Sequence, residues 1–208
     1  MLSKLPQLSK ATLRKKYIAL RQNYTSQQIK EASNNIFCKF IQKYGPLLTA
    51  PSSIRKFIHI FLPIENKKEI DTTILVDKIC NDPKYQNVYF VVPKMTTHNS
   101  EPILQHYYYH PFHTKLEVNK YGVPEPTINQ PIMSTTDLQL LNFIIVPLLC
   151  WHQSGHRIGY GGGYYDKFLS NCSPNTLKIG VSLFPNEPNQ WDTNEFDIKL
   201  DDVIIPEM

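Results

Sequence analysis

The stretch that decides the fold runs from residue 143 to residue 169 and reads FIIVPLLCWHQSGHRIGYGGGYYDKFL. It opens with an almost continuous apolar run, FIIVPLL (143–149), which is typical of a strand covered on both faces of a sheet. Four of the chain's eight glycines follow within five residues, at 159–163. A short helix is expected next, from 164 to about 171. The stretch therefore predicts a buried strand, a glycine loop and a helix in succession.

Helical and strand patterns alternate along the rest of the chain. The second helix opens with the capping-box pair Thr25 and Gln28 and is expected to end at Gly45-Pro46. Helices are predicted near 8–22, 25–44, 71–80 and 134–137, and strands near 56–64, 88–93, 103–110, 178–184 and 202–205. This order predicts an α/β fold, a three-layer sandwich with a largely parallel central sheet. Residues 1–208 are expected to form one domain, with an N-terminal helical pair (1–45) packed on its core.

Length and composition are those expected of a globular cytoplasmic protein. The chain has 208 residues, of which 41% are hydrophobic, enough for one domain with a sizeable core. No apolar run reaches the ~18 residues that span a bilayer, and no apolar signal core is present, so no membrane partner is expected. Four widely spaced cysteines argue against a disulfide framework or a cysteine-rich zinc site. The mild net charge of +4 has no long single-sign block, so no nucleic-acid partner is expected.

Three polar or glycine-rich segments follow predicted strands. IENKKEID (64–71) follows the first strand, KMTTH (94–98) follows the second, and the glycine stretch follows the apolar run at 143–149. Parallel sheets bind ligands beyond the carboxyl ends of their strands. We therefore expect these segments to converge on a binding site.

The glycine stretch matches neither common phosphate-binding pattern. Lys167 is misplaced for a Walker A loop, and the third glycine of a dinucleotide fingerprint would fall at Tyr164. The loop still offers a helix N-terminus for phosphate, with Arg157 as a bidentate contact and Asp166 as a carboxylate for Mg²⁺. From the pattern alone, a hairpin tip with Tyr164 and Tyr165 as core aromatics and Asp166 as a cap remains an alternative.

RIGYGGGYYDKFL (157–169) resembles the signature of the 5-formyltetrahydrofolate cyclo-ligases, also called 5,10-methenyltetrahydrofolate synthetases. Other segments are similar to the family in the same order: KATLRKKYIALR (10–21), FLPIENKKEIDT (61–72), VPK (92–94), YGVPEP (121–126) and FDIKLDDVI (196–204). The resemblance spans nearly the whole chain, and the glycine block is its most specific part. Gly162 stands where some members carry lysine, and His152 stands where many carry an acidic residue.

The resemblance implies an ATP- and Mg²⁺-dependent ligase of folate one-carbon metabolism. The implied reaction converts 5-formyltetrahydrofolate to 5,10-methenyltetrahydrofolate, with ADP and phosphate as the other products, through a phosphorylated formyl group. ATP and 5-formyltetrahydrofolate are then the partners, and the protein is expected to be a monomer or a weak homodimer. The alternatives are a non-catalytic nucleotide- or folate-binding module and, more distantly, a single-stranded RNA binder that uses Tyr107 to Tyr109.

The resemblance also assigns roles to individual residues. A carboxylate at Glu69 can accept paired N–H donors from the edge of a pterin ring. With Glu69, the substrate-binding residues are Leu62 and Lys94, the metal ligands are Asp166 and Asp197, and the catalytic residues are Arg157, Tyr165 and Asp166. The ATP-binding residues are Lys10, Ala11, Thr12, Leu13, Arg14, Arg157, Ile158, Gly159, Tyr160, Gly161, Gly162, Gly163, Tyr164 and Tyr165.

Overall fold

Helices and strands alternate in the computed structural model, which describes residues 8–50, 53–98 and 100–207. The helices are α1 (Lys10–Gln22), α2 (Ser26–Thr49), α3 (Thr73–Cys80) and α4 (Tyr164–Leu169). The strands are β1 (Lys56–His59), β2 (Val88–His98), β3 (Glu101–Tyr109), β4 (Leu116–Val118), β5 (Pro124–Pro126), β6 (Ile132–Met133), β7 (Leu141–Pro147), β8 (Cys150–Trp151), β9 (Arg157–Ile158), β10 (Leu177–Val181) and β11 (Asp202–Ile204). No helix in these ranges is both long and apolar enough to cross a membrane.

The central sheet has seven strands in the order β11-β10-β7-β1-β2-β3-β6. The pairs from β11 to β2 are parallel, whereas β3 pairs antiparallel with β2 and with β6. The predicted α/β fold with a largely parallel sheet is thus confirmed. Strand β7 lies between β10 and β1, and Ile144, Ile145 and Val146 are all fully buried. Burial on both faces explains why its sequence is continuously apolar.

Helices cover both faces of this sheet. On one face, Phe37 and Phe40 of α2 join a core that includes Phe143 of β7, and the rings of Phe40 and Phe143 are 5.6 Å apart. On the other face, Phe168 of α4 packs with Ile144 and with the short 3-10 helix at Asp137–Leu140. The layers are therefore α2 and α3, the sheet, and α4 with the 3-10 helix.

The two N-terminal helices pack in different places. Leu13 and Tyr17 of α1 form a separate small cluster with Leu149, Ile158 and Trp191. This cluster holds α1 against the hairpin of β8 and β9, whereas α2 packs on the sheet. Consequently α1 lies beside the glycine loop that follows β9.

The predicted end of α2 at Gly45-Pro46 is wrong, because the helix continues to Thr49. Gly45 allows close packing: a Cβ at this position would lie 2.8 Å from the Tyr85 hydroxyl. Pro46 has no N–H to donate, so the helix loses one hydrogen bond there. Beyond it Leu48 is only 3% exposed, and its burial stabilises the last turn. Local helix-ending signals are overridden here by tertiary packing.

Strand β2 is longer than the predicted 88–93 and carries Lys94 in its interior. It forms a long antiparallel hairpin with β3, in which Lys94 pairs with Gln105. The first strand is shorter than expected, because β1 ends at His59 and residues 60–64 continue without strand geometry. The short strands β4, β5, β6, β8 and β9 were not predicted, since two or three residues carry no periodic signal.

Candidate active site

A cleft of about 390 Å³ opens where the parallel strands β1 and β7 end. Residues after β1, the last residue of β7, the glycine loop and the start of α1 all contribute to its wall. It is lined by Lys10, Arg14, Phe61, Leu62, Ile64, Glu69, Pro93, Met95, Leu104, Val123, Pro124, Glu125, Pro147, residues 157–166, Asn194 and Asp197. All three segments expected to converge contribute to this site: 64–71 through Ile64 and Glu69, 94–98 through Met95, and the glycine stretch.

The glycine loop is shaped by an arginine of α1. The Arg14 Nε donates a hydrogen bond to the carbonyl oxygen of Gly159 at 3.0 Å. Gly161 has a φ of +102°, and a Cβ there would lie 3.1 Å from Cζ of Arg14. Gly163, the residue before α4, also has a positive φ, of +68°. Glycine adopts such angles without strain and lets the guanidinium approach the backbone closely.

The centre of the loop carries backbone N–H groups that have no hydrogen-bond acceptor in the described part of the chain. Gly161, Gly162 and Gly163 line the cleft, and their N–H groups donate to no residue that the structure describes. Successive free N–H groups form concave sites for anions. Lys10 and Arg14 add two positive side chains to the same wall. This end of the cleft therefore suits a polyphosphate.

A buried ion pair fixes Asp166 at the start of α4. The Arg157 side chain is 5% exposed, and its Nη2 donates to Asp166 Oδ1 at 2.9 Å. Burial lowers the pKa of Arg157, and the charge of Asp166 partly offsets this effect. The Ile198 N–H also donates to Oδ1, at 3.1 Å. Oδ2 accepts no hydrogen bond within the described ranges, so this oxygen remains available to a ligand.

A second carboxylate, Asp197, lines the same cleft, and it precedes Ile198, whose N–H donates to Asp166 Oδ1. Lys10 Nζ contacts both oxygens of Asp197, at 2.9 and 2.6 Å. Burial alone would raise the pKa of Asp197, but the hydrogen bonds from Lys10 and the Asn194 amide outweigh it and lower the pKa. Both carboxylates line the cleft. The two predicted metal ligands are thus brought together, without a third His, Cys, Asp or Glu in a metal-binding group among the described residues.

The end of the cleft formed by residues after β1 holds Glu69 beside apolar side chains. The Glu69 carboxylate is 7% exposed and accepts from the Ile64 N–H, at 2.8 Å, and from the Tyr160 hydroxyl, at 2.7 Å. Leu62 lines the same end. Glu69 and Leu62 therefore lie where a flat, hydrogen-bonding ring would find both a polar edge and apolar surface.

Tyr165 carries a buried hydroxyl oxygen without a hydrogen-bond partner in the described part of the chain. Burial, and then the charge of Glu69, raise the pKa of Tyr165, so the hydroxyl keeps its proton. Most buried polar groups in proteins are hydrogen-bonded. An unpartnered donor in the cleft wall is therefore a position for a ligand acceptor.

Two histidines lie beneath the cleft, and sequence reasoning did not pair them. His59 Nε2 is 3.1 Å from His106 Nδ1, and both rings pack on Phe168, with centroids 4.5 and 4.2 Å away. Burial lowers the pKa of His106 to about 4 and, with the nearby His106, lowers the pKa of His59 well below its ordinary value. The pair is therefore neutral at physiological pH.

Several predicted ligand residues lie outside the cleft lining. Lys94 points to another partner set: its Nζ donates to Glu117 Oε1 at 2.7 Å and to the Pro126 carbonyl at 2.6 Å. Leu13 is fully buried in the cluster under α1, and Ala11 and Thr12 are exposed on that helix. The structure does not bring these four side chains to the other site residues.

One buried acid of the cleft was not singled out from the sequence. Glu125 is 4% exposed and lines the cleft, and its Oε1 accepts from the Met95 N–H at 2.9 Å. Its Oε2 accepts no hydrogen bond within the described ranges. The motif YGVPEP (121–126) was the available signal, but a Pro-flanked glutamate carries no local sign of burial.

Comparison with known proteins matches this arrangement to one family. A profile of the 5-formyltetrahydrofolate cyclo-ligase family matches residues 6–206. A 5-formyltetrahydrofolate cyclo-ligase of Haemophilus influenzae is 28% identical over 142 residues, which cover 66% of this chain and 70% of that protein. A probable 5-formyltetrahydrofolate cyclo-ligase of Schizosaccharomyces pombe is 31% identical over 156 residues, covering 68% and 71%.

A solved structure shares the fold. The NMR structure of Aquifex aeolicus 5,10-methenyltetrahydrofolate synthetase has a TM-score of 0.66 and 25% sequence identity, and the match covers 94% of this chain and 88% of that chain. The profile match extends over nearly all of the sequence, and the fold and glycine loop agree with it. The chain therefore belongs to the 5-formyltetrahydrofolate cyclo-ligase family.

Proposed function

We propose that the protein uses ATP to convert 5-formyltetrahydrofolate to 5,10-methenyltetrahydrofolate, releasing ADP and phosphate. One observation carries the proposal: a single cleft joins a polyphosphate-binding end, two adjacent carboxylates and an apolar end with a buried glutamate. These parts correspond to the needs of a nucleotide, a metal ion and a pterin. We propose that the nucleotide phosphates and the folate bind side by side in this cleft.

The glycine loop and α1 are proposed to hold the nucleotide. The N–H groups of 161–163 would bind phosphate oxygens, while Arg14 and Lys10 would neutralise their charge. Arg14 also donates to the Gly159 carbonyl, so it shapes the loop that it serves. Phosphoryl transfer depends chiefly on positioning and on charge neutralisation. In this chain, which has glycine at position 162, the backbone N–H groups would position the phosphates, and Lys10 and Arg14 would neutralise their charge.

The carboxylates of Asp166 and Asp197 fit Mg²⁺ through their chemistry. Magnesium in phosphoryl-transfer sites is held by one or two carboxylates together with phosphate oxygens. Asp166 has a free Oδ2, whereas Asp197 is paired with Lys10, which would exchange this contact for phosphate. Asp166 and Asp197 would hold Mg²⁺, which would supply positive charge against the negative charge that develops during phosphoryl transfer. Arg157, turned toward Asp166, is proposed to keep that carboxylate oriented.

The apolar end is proposed to hold the folate. Glu69 would accept N–H donors of the pterin edge, and Leu62 would pack on the ring. The unpartnered Tyr165 hydroxyl would donate to an oxygen of the bound ligands. These contacts would align the formyl oxygen with the terminal phosphate, which is the geometry that the reaction needs.

The proposed chemistry proceeds in two steps. The formyl oxygen attacks the γ-phosphorus of ATP, a P–O bond forms, and the bond to ADP breaks. The N10 nitrogen then attacks the activated formyl carbon, its proton is lost, and the C–O bond breaks to release phosphate. An amide-like oxygen is a poor leaving group, so phosphorylation converts it into a good one. The protein contributes position, charge and exclusion of water rather than a covalent intermediate.

A direct assay tests this function. The protein is mixed with MgATP and 5-formyltetrahydrofolate, and formation of the methenyl product is followed by its near-ultraviolet absorbance. We expect product formation that requires ATP and yields one ADP for each product molecule. Absence of product over a full range of Mg²⁺ and ATP concentrations, with a folded protein, would contradict the proposal.

We also propose that the enzyme works in the cytoplasm as a monomer or weak homodimer, with small molecules as its partners. The four cysteines are free, which suits a reducing compartment. Size-exclusion chromatography with light scattering measures the oligomeric state, and a stable tetramer would contradict this expectation.

A further inference from the structure

A chain of hydrogen bonds crosses from the glycine loop to the folate end of the cleft. Arg21 Nη2 of α1 donates to the Tyr160 hydroxyl, and that hydroxyl donates to Glu69 Oε1 at 2.7 Å. The other oxygen of Glu69 accepts from the Ile64 N–H at 2.8 Å. Both oxygens of Glu69 are thus held, one by the main chain and one by a side chain of the loop.

The environment of Tyr160 favours this arrangement. Its ring is 43% exposed, but its hydroxyl bonds to two buried charged side chains, Arg21 (6% exposed) and Glu69 (7%). Burial, followed by the charge of Glu69, raises the pKa of the hydroxyl, so it remains protonated and continues to donate. Lys67 Nζ lies 4.6 Å from the centre of the ring, within the range of a cation–π contact. The ring is therefore fixed as well as the hydroxyl.

A carboxylate oxygen has two lone pairs, so one bond to each oxygen leaves room for a ligand. The bond from Tyr160 consequently fixes the plane of Glu69 without occupying all of its acceptor positions. A fixed plane matters because paired N–H donors on a ring edge need both oxygens in the plane of the ring. A freely rotating carboxylate would lose rotational freedom on each binding event.

We propose that Tyr160 is a positioning residue for the folate: it orients the Glu69 carboxylate toward the pterin edge, although its neighbours in the loop serve the nucleotide. The inference rests on the proposed function, since it takes Glu69 as the folate-binding carboxylate. The resemblance to the family assigned Tyr160 to ATP. The hydrogen bonds assign its hydroxyl to the folate end.

The test is Tyr160→Phe, which removes only the hydroxyl. A hydrogen bond to a charged acceptor is worth enough that its loss raises the KM for 5-formyltetrahydrofolate about tenfold. The KM for ATP is expected to stay within about twofold of the wild-type value, because the loop backbone is unchanged. In the Glu69→Gln background, Tyr160→Phe is expected to add less than about twofold, since the two residues act as one unit.

Tyr44→Phe is the matched control. Its hydroxyl donates to Asp202 Oδ2 at 2.7 Å, so the same kind of bond is removed far from the cleft lining. This variant is expected to keep both KM values. Isothermal titration of 5-formyltetrahydrofolate into each variant, without nucleotide, separates this inference from the proposed reaction. If the wild type binds folate without turnover, the reaction fails while the comparison of Kd values still tests Tyr160.

Two results would overturn the inference. One is a rise in the KM for ATP in Tyr160→Phe with an unchanged KM or Kd for folate. That result would show that Tyr160 serves nucleotide binding. The other is a full tenfold effect of Tyr160→Phe that persists beside Glu69→Gln, which would show that the hydroxyl does not act through Glu69.

Discussion

The buried pair of His59 and His106 is expected to make the fold sensitive to mild acid. His59 is fully buried and His106 is 5% exposed, and neither ring has a carboxylate partner in the described structure. Both pKa values are lowered by burial, that of His106 to about 4. In the unfolded chain both side chains return to the ordinary value of about 6.5. At a pH between the folded and the unfolded pKa values, the two histidines are protonated only in the unfolded chain.

This difference in pKa between the folded and the unfolded chain makes the free energy of unfolding depend on pH. Stability from the pair is present above about pH 6.5 and is lost as the pH falls toward the folded values. Each proton bound only by the unfolded chain costs about 1.4 kcal/mol for each pH unit. From pH 7.5 to 5.5 the two histidines together therefore lower the free energy of unfolding by about 3 kcal/mol. Folded domains typically have a free energy of unfolding of about 5–15 kcal/mol, so this loss is a large share for a domain near the lower limit.

Urea unfolding followed by circular dichroism at pH 7.5 and 5.5 measures this loss. In the double variant His59→Leu, His106→Leu, both partners are replaced by apolar groups, and the pH-dependent loss is expected to shrink by about 3 kcal/mol. The other histidines are common to both proteins, so they cancel in the comparison. An equal loss in the two proteins would refute the reasoning. Nuclear magnetic resonance of the wild-type imidazoles gives an independent check, since neither buried ring should titrate above pH 5.

Three further substitutions are expected to distinguish residues that serve the active site from residues that serve the fold. Asp166→Asn should lower kcat by at least about 100-fold in the methenyl assay. It should also lower stability, because it removes the charge that pairs with the buried Arg157, and circular dichroism checks that the variant is folded. Asp202→Asn, outside the cleft, should leave kcat unchanged, and comparable activity in both variants would contradict the metal role. Gly161→Ala forces a φ of +102° on alanine and displaces Arg14, so the KM for ATP should rise about tenfold; an unchanged KM would remove Arg14 from the nucleotide site. Gly45→Ala places a Cβ 2.8 Å from the Tyr85 hydroxyl and should lower thermal stability by about 1–3 kcal/mol without affecting kcat, whereas a variant as stable as the wild type would show that α2 does not need this close contact.

The parts of the fold that were predictable from the sequence are those with a local signal. The apolar run of β7 indicated a strand buried on both faces, and the capping box at Thr25 and Gln28 is present with both of its hydrogen bonds. Gly45 misled because its role is to admit Tyr85, a residue 40 positions away in the chain. Local sequence patterns indicate which backbone conformation is preferred, but they do not show which distant residue will pack against a given position.

The same distinction applies to the site. The residue pattern alone indicated the glycine loop and Asp166 as a possible phosphate and metal site, whereas the role of Glu69 came from the resemblance. The structure places all three in one cleft. The His59–His106 pair and the bond from Tyr160 to Glu69 were not found. Each joins segments far apart in sequence through a single contact, and such a contact leaves no period, spacing or composition to detect.

The position of α1 has a consequence for the order in which the enzyme is made. Lys10 reaches Asp197 across 187 residues of chain, and Arg14 reaches Gly159 across 145. A ribosome releases α1 well before Gly159 and Asp197. Closing loops of this length is slow compared with forming a helix. The nucleotide end of the cleft therefore assembles late, and a nascent chain has no complete active site until Gly159 and Asp197 have left the ribosome.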